Sequence, residues 1–317
     1  MKHIELASGD QMPALGLGTW KMADGVGYTA VNTAIQAGYR HIDCAWIYEN
    51  EEDVGRAINE CLEQKVVSRD ELWITSKLWN DRHREQHVIE GCKESLQKLQ
   101  LDYLDLYLVH WPVAQKHGVA RPSSAAEFSP LDEVPLIETW NAMQRCVDQG
   151  LCRNIGVSNF SQKKLQHLID ETGRAPACNQ VESHPFLQQT SLFDYCQSQN
   201  IAFTAYSPLG SGDRPDGMKR QNEPNLFNDS TIQTLASELN STPAQVILGW
   251  AIQRGTIPIP KSGDIERQKQ NLAAADLQLS EDQMNQIGQL DQRYRFVDGT
   301  FWEMEGGPYT VAELWDE

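Results

Sequence analysis

The chain has 317 residues, with 27 Lys+Arg against 44 Asp+Glu and a formal net charge of −17 at pH 7. That balance speaks against nucleic acid or an anionic membrane surface as partner, because both are bound through clustered Lys and Arg. Apolar types make up 40% and charged types 22%, as in globular proteins, and a chain this long can bury about 75% of its unfolded surface without disulfides or a structural metal.

Seven cysteines form no Cys-x-x-Cys pair and read as reduced core thiols of a cytoplasmic protein. No apolar signal stretch follows Met1, and no uninterrupted run approaches the ~18 apolar residues of a membrane span. Residues 4–6 and 13–15 read as a small β-hairpin around Ser8-Gly9-Asp10. Eight strand candidates follow in order: 15–18, 41–45, 72–78, 104–110, 154–158, 177–181, 201–207 and 256–260. Between them apolar residues recur at helical spacing, as in Val54, Ile58, Cys61, Leu62 and in Val88, Ile89, Cys92, Leu96, Leu99. The run Leu104-Asp105-Leu106-Tyr107-Leu108-Val109 is apolar at nearly every position, which suits a parallel strand buried on both faces. Thr242-Pro243 opens a helix with a hydroxyl cap and Pro at the first position.

Eight strand–helix units closing into a barrel use roughly 250 residues. The surplus falls in a Pro/Ser-rich segment at 112–135, a Gly/Pro/Asn/Asp-rich segment at 210–228, and the tail beyond 290. Long loops of this kind are usually functional. Nothing in the composition separates two domains, so residues 1–317 read as one.

A polar or ionisable residue stands at the end of one apolar strand after another: Asp43, Lys77, His110, Asn159, Gln180, Tyr206-Ser207 and Lys261-Ser262. In a parallel barrel these ends open on one face, the face where barrel enzymes keep their chemistry. Asp43, Tyr48, Lys77 and His110 make a coherent set. A phenol with an ordinary pKa near 10 shuttles protons poorly at neutral pH, and a neighbouring ammonium is expected to lower that pKa. Lys77 would supply the charge, Asp43 would neutralise and orient Lys77, and His110 would hydrogen-bond a carbonyl oxygen or relay the proton. The task suggested is moving a proton at a carbonyl or alcohol. Trp20, Trp79 and Trp111 follow strands one, three and four and suit an apolar pocket that excludes water. Ile259-Pro260-Lys261-Ser262-Gly263-Asp264 precedes a helical pattern at 265–275, and the helix N-terminus with Lys261, Ser262 and Arg267 reads either as a phosphate pocket or as a capped surface helix with solvated basic residues. Gly16-Leu17-Gly18 is no dinucleotide fingerprint, since Lys21 stands where the third Gly belongs. His83 and His87 lack the glutamate placement of a zinc helix, so no metal is expected.

Three stretches carry a family resemblance. The first runs from Gly38-Tyr39-Arg40-His41-Ile42-Asp43 to Tyr48 and Gly55, and the second from Met143 to Ile155-Gly156-Val157-Ser158-Asn159-Phe160. The third is Ile259-Pro260-Lys261-Ser262 with Arg267, Gln270 and Asn271. Over essentially its whole length the chain resembles the aldo-keto reductases. The resemblance implies a (β/α)8 TIM barrel with an N-terminal β-hairpin, long active-site loops and a C-terminal substrate loop. It implies NADPH/NADP+ as cofactor, with NADH weaker, a small-molecule carbonyl substrate, and a monomer. Tyr48 would be the general acid, tuned by Lys77 and Asp43, with His110 positioning the carbonyl. Nicotinamide would stack on Tyr206, its carboxamide held by Ser158, Asn159 and Gln180, near Thr19, Trp20 and Asp43. Ser207, Leu209 and Ser211 match a segment that folds over the pyrophosphate, and Lys21 with Asp213 a clasp for it. Lys261, Ser262, Arg267, Gln270 and Asn271 match the adenosine end. Trp20, Tyr48, Trp79, His110, Trp111 and Trp302 match the substrate pocket.

Two positions depart from the pattern. Asp264 stands where a neutral side chain is usual near the 2′-phosphate, which would weaken the NADPH preference. The tail with Phe301-Trp302 and Gly306-Gly307-Pro308-Tyr309 occupies the family's most variable loop. The expected activity is reduction of aldehydes and some ketones. A sugar or sugar-phosphate reductase is the narrower alternative, with Lys116, Arg121 and Arg214 as candidate contacts for the phosphate, and a non-catalytic cofactor-binding barrel is the alternative from another class.

Overall fold

The computed structural model describes residues 2–23 and 25–317. Eight parallel strands pair in sequence: β1 Leu17–Gly18, β2 His41–Asp43, β3 Trp73–Leu78, β4 Leu104–Val109, β5 Cys152–Ser158, β6 Cys178–Glu182, β7 Ala202–Tyr206 and β8 Ile257–Pro258. The edge strands meet through Gly16 N–H to Pro258 O and Gly18 N–H to Pro260 O, each 3.1 Å, which closes the sheet into the expected barrel. Gly18 is required there: a Cβ would stand 2.7 Å from the Ile259 carbonyl oxygen.

The helices are α1 Val26–Ala37, α2 Glu51–Glu63, α3 Glu85–Leu99, α4 Leu136–Asp148, α5 Gln162–Thr172, α6 Thr190–Ser198, α7 Ser230–Glu238, α8 Pro243–Arg254, α9 Ile265–Ala273, α10 Glu281–Gly288 and α11 Val311–Trp315. Those between strands carry the apolar stripe read from the sequence. Val54, Ile58 and Cys61 of α2 and Val88, Cys92 and Leu99 of α3 are fully buried in one core with the strands. Leu62 and Ile89 pack at its edge. Helix α8 starts as expected, with Thr242 capping the Gln245 N–H and Pro243 in the first turn. The seven cysteines are free and buried. Every position of β4 is buried, and its one carboxylate, Asp105, is answered by Arg69 and by the Ile74 N–H.

Three local differences have physical reasons. The hairpin pairs His3–Glu5 with Gln11–Pro13 rather than 4–6 with 13–15: Leu6 N–H donates to Asp10 O inside the turn, so the paired register starts at Glu5 opposite Gln11, and Ala14 N–H donates to Lys2 O at the open end. Leu6 and Met12 of this hairpin pack on Trp73, Cys178, Ala202 and Ile257, at the strands' N-terminal ends, and plug the barrel bottom. The segment 112–135 is not a plain loop: Ala114–Gln115 pairs antiparallel with Phe128–Ser129. The Tyr309 hydroxyl from the tail bridges them, accepting from Ala114 N–H (2.8 Å) and donating to Ser129 O (2.6 Å). Helix α9 ends at Ala273 and tightens into a 3-10 turn to Asp276. Among the described residues no helix is long and apolar enough to cross a membrane.

Candidate active site

The tips of five strands converge. Asp43 ends β2, Lys77 lies in β3, His110 follows β4, Ser158 and Asn159 end and follow β5, and Gln180 lies in β6. Tyr48 reaches the same place from the short 3-10 turn Trp46–Tyr48 after β2. Lys77 is wholly buried; its ammonium donates to Asp43 Oδ1 (2.5 Å), to Cys44 O (2.8 Å) and to Tyr48 Oη (3.5 Å). The other Asp43 oxygen accepts from Gln180 Nε2 at 2.7 Å. His110 packs its ring edge-on to Tyr48 and Trp79, with centroids 5.8 and 5.1 Å away, and its Nδ1 is buried without a hydrogen-bond partner.

The electrostatics correct one expectation. Burial pushes the Tyr48 phenol up to about 12; Lys77 pulls the other way without overcoming it. Desolvation therefore outweighs the nearby cation, and Tyr48 is held as a phenol. The Lys77 charge is opposed by burial, yet Asp43 and Tyr48 raise its pKa overall, so the ammonium persists. Burial and then the Lys77 charge hold His110 well below the usual histidine range, leaving a neutral imidazole. The site thus holds a protonated phenol, a permanent cation beside its oxygen and a neutral ring donor. It can deliver a proton to an oxygen and stabilise the phenolate left behind.

A cavity of about 1100 Å³ opens over this cluster. Its walls include every expected pocket residue: Trp20, Tyr48, Trp79, His110, Trp111 and Trp302. Trp302 forms a roof, packing its ring near Trp79 (5.8 Å), Trp111 (5.7 Å) and Phe301 (4.9 Å). The expected cofactor residues Trp20, Asp43, Ser158, Asn159, Gln180, Tyr206, Ser207, Leu209, Ser211, Lys261, Ser262, Arg267, Gln270 and Asn271 also line it. Thr19 does not. It is fully buried behind the wall, its Oγ1 donating to Asp43 O at 2.9 Å. Lys77 likewise acts from behind, through Tyr48 and Asp43.

Along the wall built by β5 to β7 the polar side chains are organised by one another. Ser158 Oγ donates to Gln180 O (2.7 Å), Asn159 Nδ2 donates to His110 O (3.0 Å), and the Tyr206 hydroxyl donates to Asn159 Oδ1 (2.8 Å). Asn159 stands at φ +64, a left-handed turn that aims it back over the barrel mouth. The segment 207–228 folds over the cavity. Lys21 Nζ meets Asp213 Oδ1 at 2.5 Å, the expected clasp, and Lys261 Nζ meets Asp213 Oδ2 at 2.7 Å. Burial works against the Asp213 charge, but the two ammonium hydrogen bonds hold its carboxyl at about 2. Asp264 is the N-cap of α9, its Oδ1 accepting from Arg267 N–H at 2.9 Å. A carboxylate therefore sits on the helix N-terminus where a phosphate was expected, with Lys261 and the Arg267 side chain as the cations beside it.

Three residues of the site were not read from the sequence. Gln268, fully buried in α9, holds Ser262 O and Ala30 O from one amide and fixes the turn before the helix. Glu182, also fully buried, accepts from Phe296 N–H (2.6 Å) and Val297 N–H (2.7 Å) and anchors the tail that carries Phe301 and Trp302. Met218 reaches the cavity from the folded strap. Apolar periodicity carries no sign of a buried Gln or Glu, so no sequence signal marked the first two. Lys116 and Arg214, two of the candidate contacts for a substrate phosphate, do not line the cavity. Arg214 is buried in the strap on Glu223, Ser211 O and Met218 O.

With this geometry in place, the comparisons are consistent. The model of the Aldo/keto reductase family matches residues 14–292. An aldo/keto reductase of Synechocystis sp. is 50% identical over all of this chain and 97% of its own length. The aldo-keto reductase family 1 member A1 of Sus scrofa is 42% identical over 93% of this chain and 90% of its own. The solved structure of an aldose reductase from Schistosoma japonicum superposes with a TM-score of 0.87 at 35% identity, covering 96% of this chain and 97% of that one.

Proposed function

The chain belongs to the aldo/keto reductase family of oxidoreductases, and from that premise we propose that it reduces aldehydes, and some ketones, to alcohols with NADPH, Tyr48 acting as general acid. The observation that carries this reading is the buried Asp43–Lys77–Tyr48 chain at the floor of the cavity. NADPH, when bound, would supply the hydride. His110, neutral and on the wall, orients the carbonyl oxygen by a hydrogen bond. Tyr48 gives its proton to that oxygen. Lys77, 3.5 Å from the phenol oxygen, meets the negative charge that develops on it. Asp43 keeps Lys77 charged and aimed, and Gln180 and Thr19 keep Asp43 in place. The aromatic walls exclude water from the transfer.

The cavity fits the cofactor. Its volume exceeds that of a drug-sized pocket, leaving room for an extended dinucleotide and a small substrate. The far end carries Lys21, Lys261 and Arg267 against Asp213 and Asp264, a surplus of cations that suits phosphate groups in a chain that is otherwise strongly acidic. Tyr206, Ser158, Asn159 and Gln180 would hold the nicotinamide end. Lys261 and Arg267 favour NADPH over NADH, Asp264 works against it, and Lys261→Ala should narrow the ratio of the two KM values. A barrel that merely bound cofactor would have no use for a fully buried lysine aimed at a phenol. The test is NADPH consumption with a panel of aldehydes. Turnover that Tyr48→Phe abolishes supports the assignment; no turnover with any aldehyde, or equal turnover in Tyr48→Phe, overturns it.

A further inference from the structure

The turn that carries Tyr48 is not self-supporting. Its backbone bonds, Tyr48 N–H to Ala45 O (3.0 Å) and Glu49 N–H to Trp46 O (3.3 Å), stay within the turn, and its residues are only partly buried. The chain is tied to the barrel before it, where Cys44 N–H donates to Thr75 O at 2.8 Å. It is tied again after it, where the Asn50 amide donates to Thr19 O (2.9 Å) and Met22 O (3.2 Å). Between these ties Glu49 pairs with Arg121, but the two side chains are 67% and 69% exposed, and an ion pair standing in water contributes little. Trp46 is held far more firmly.

Helix α3 supplies the grip. The Trp46 indole Nε1–H donates to Glu94 Oε1 at 2.6 Å. Lys98, one helical turn on, meets the same oxygen at 2.8 Å, and Arg82, from the 3-10 turn Asn80–Arg82, donates to the other. The Arg82 guanidinium and the Lys98 ammonium each lie 5.0 Å from the centre of the indole ring, within the range of a cation–π contact. Burial opposes the Glu94 charge, yet hydrogen bonds from Lys98 and Trp46 and the Arg82 charge hold its carboxyl at about 2, so the clamp stays charged at neutral pH. These four side chains lie outside the cavity, whereas Ile47 and Tyr48, the next two residues of the turn, line it.

Lys77 does not follow Tyr48 if the turn shifts. It is wholly buried and held by Asp43 Oδ1 and Cys44 O at 2.5 and 2.8 Å, whereas the phenol oxygen stands at 3.5 Å, the longest of the three contacts. Displacement of the turn therefore falls on that contact. We infer, building on the aldehyde-reductase reading above, that Trp46 and Glu94 are positioning residues: by clamping the turn to α3 they set the distance from the Tyr48 phenol to the Lys77 ammonium, and through it the rate of proton transfer, without touching substrate or cofactor. A misplacement of about 1 Å at a reacting group lowers the rate by up to about a hundredfold.

The test uses three variants of the full chain. Glu94→Ala removes the acceptor for the indole, and Trp46→Phe removes the donor while leaving a ring between the two cations. Glu94→Gln drops the charge but keeps an acceptor oxygen. In Glu94→Ala and Trp46→Phe, kcat for benzaldehyde reduction should fall by about tenfold to about a hundredfold, with KM for the aldehyde and Kd for NADPH at the parent's values. Glu94→Gln should retain most of the parent's kcat. Unchanged kcat in the first two variants overturns the inference, even if Tm falls. So does a loss carried by KM, or a loss that Glu94→Gln does not reduce. A second readout needs neither cofactor nor turnover: crystal structures of the parent and of Glu94→Ala. In the variant the Tyr48 oxygen should leave hydrogen-bond reach of Lys77, and an unmoved oxygen overturns the inference. If the parent turns over no aldehyde at all, the reading as a reductase fails, and the pair of structures still decides whether the clamp positions Tyr48.

Discussion

Replacing Lys77 by Met removes a cation 3.5 Å from the Tyr48 oxygen while keeping most of the side chain's volume. With an effective dielectric of about 20, full charges at that distance interact by about 5 kcal/mol. If half of the phenolate charge has developed in the transition state, the loss is about 2.4 kcal/mol. The expected fall in kcat for aldehyde reduction therefore lies between about 50-fold and about 3000-fold. The same substitution strands Asp43, 1% exposed, with Gln180 as its remaining side-chain donor. Removing one partner of a buried ion pair costs about 3–5 kcal/mol of stability. Activity and stability can be separated with the double variant Lys77→Met/Asp43→Asn, which buries no unpaired charge. The double variant should regain most of the lost Tm while kcat stays low, with NADPH binding followed by fluorescence. A single variant that matches the parent's kcat, or a double variant that recovers kcat along with Tm, would refute the role assigned to the cation.

In the proposed mechanism reduction draws on the Tyr48 phenol and oxidation of an alcohol on the phenolate. With the phenol pushed up to about 12, reduction should be flat across the neutral range while oxidation climbs with pH; an inflection of reduction near pH 7 would contradict this. Burial lowers His41 to about 4 and His83 to about 3, while both titrate near 6.5 when unfolded. Their contribution is fully present above about pH 6.5 and is lost as pH falls toward 4 and 3, by up to about 1.4 kcal/mol per pH unit for each. Urea midpoints between pH 7 and 5 should fall accordingly, and His83→Leu should make the fall shallower; an identical slope in that variant would remove the explanation. Gly18→Ala sets a methyl 2.7 Å from a backbone oxygen at the barrel seam and should cost about 1–3 kcal/mol, read as a lower Tm; an unchanged Tm would show that the seam yields freely.

The barrel was legible in the sequence because its period is local. Each strand is a short apolar run buried on both faces, and each following helix declares its buried stripe through three- and four-residue spacing. The alignment of Asp43, Lys77, His110, Asn159 and Gln180 was legible for the same reason: parallel strands place their C-terminal ends on one rim, so position along a strand becomes position in space. What the linear order could not express was the sum of opposing energies at one atom. Lys77 beside Tyr48 reads as a lowered phenol pKa, and only the enclosing walls show that desolvation wins. The same holds for Glu182 holding two tail amides and for Asp213 shared between two lysines. These partners lie far apart in the chain, and their pairing depends on how the loops fold over the barrel mouth. Local periodicity comes from neighbours a few residues apart, whereas burial and partner choice depend on everything packed around a side chain.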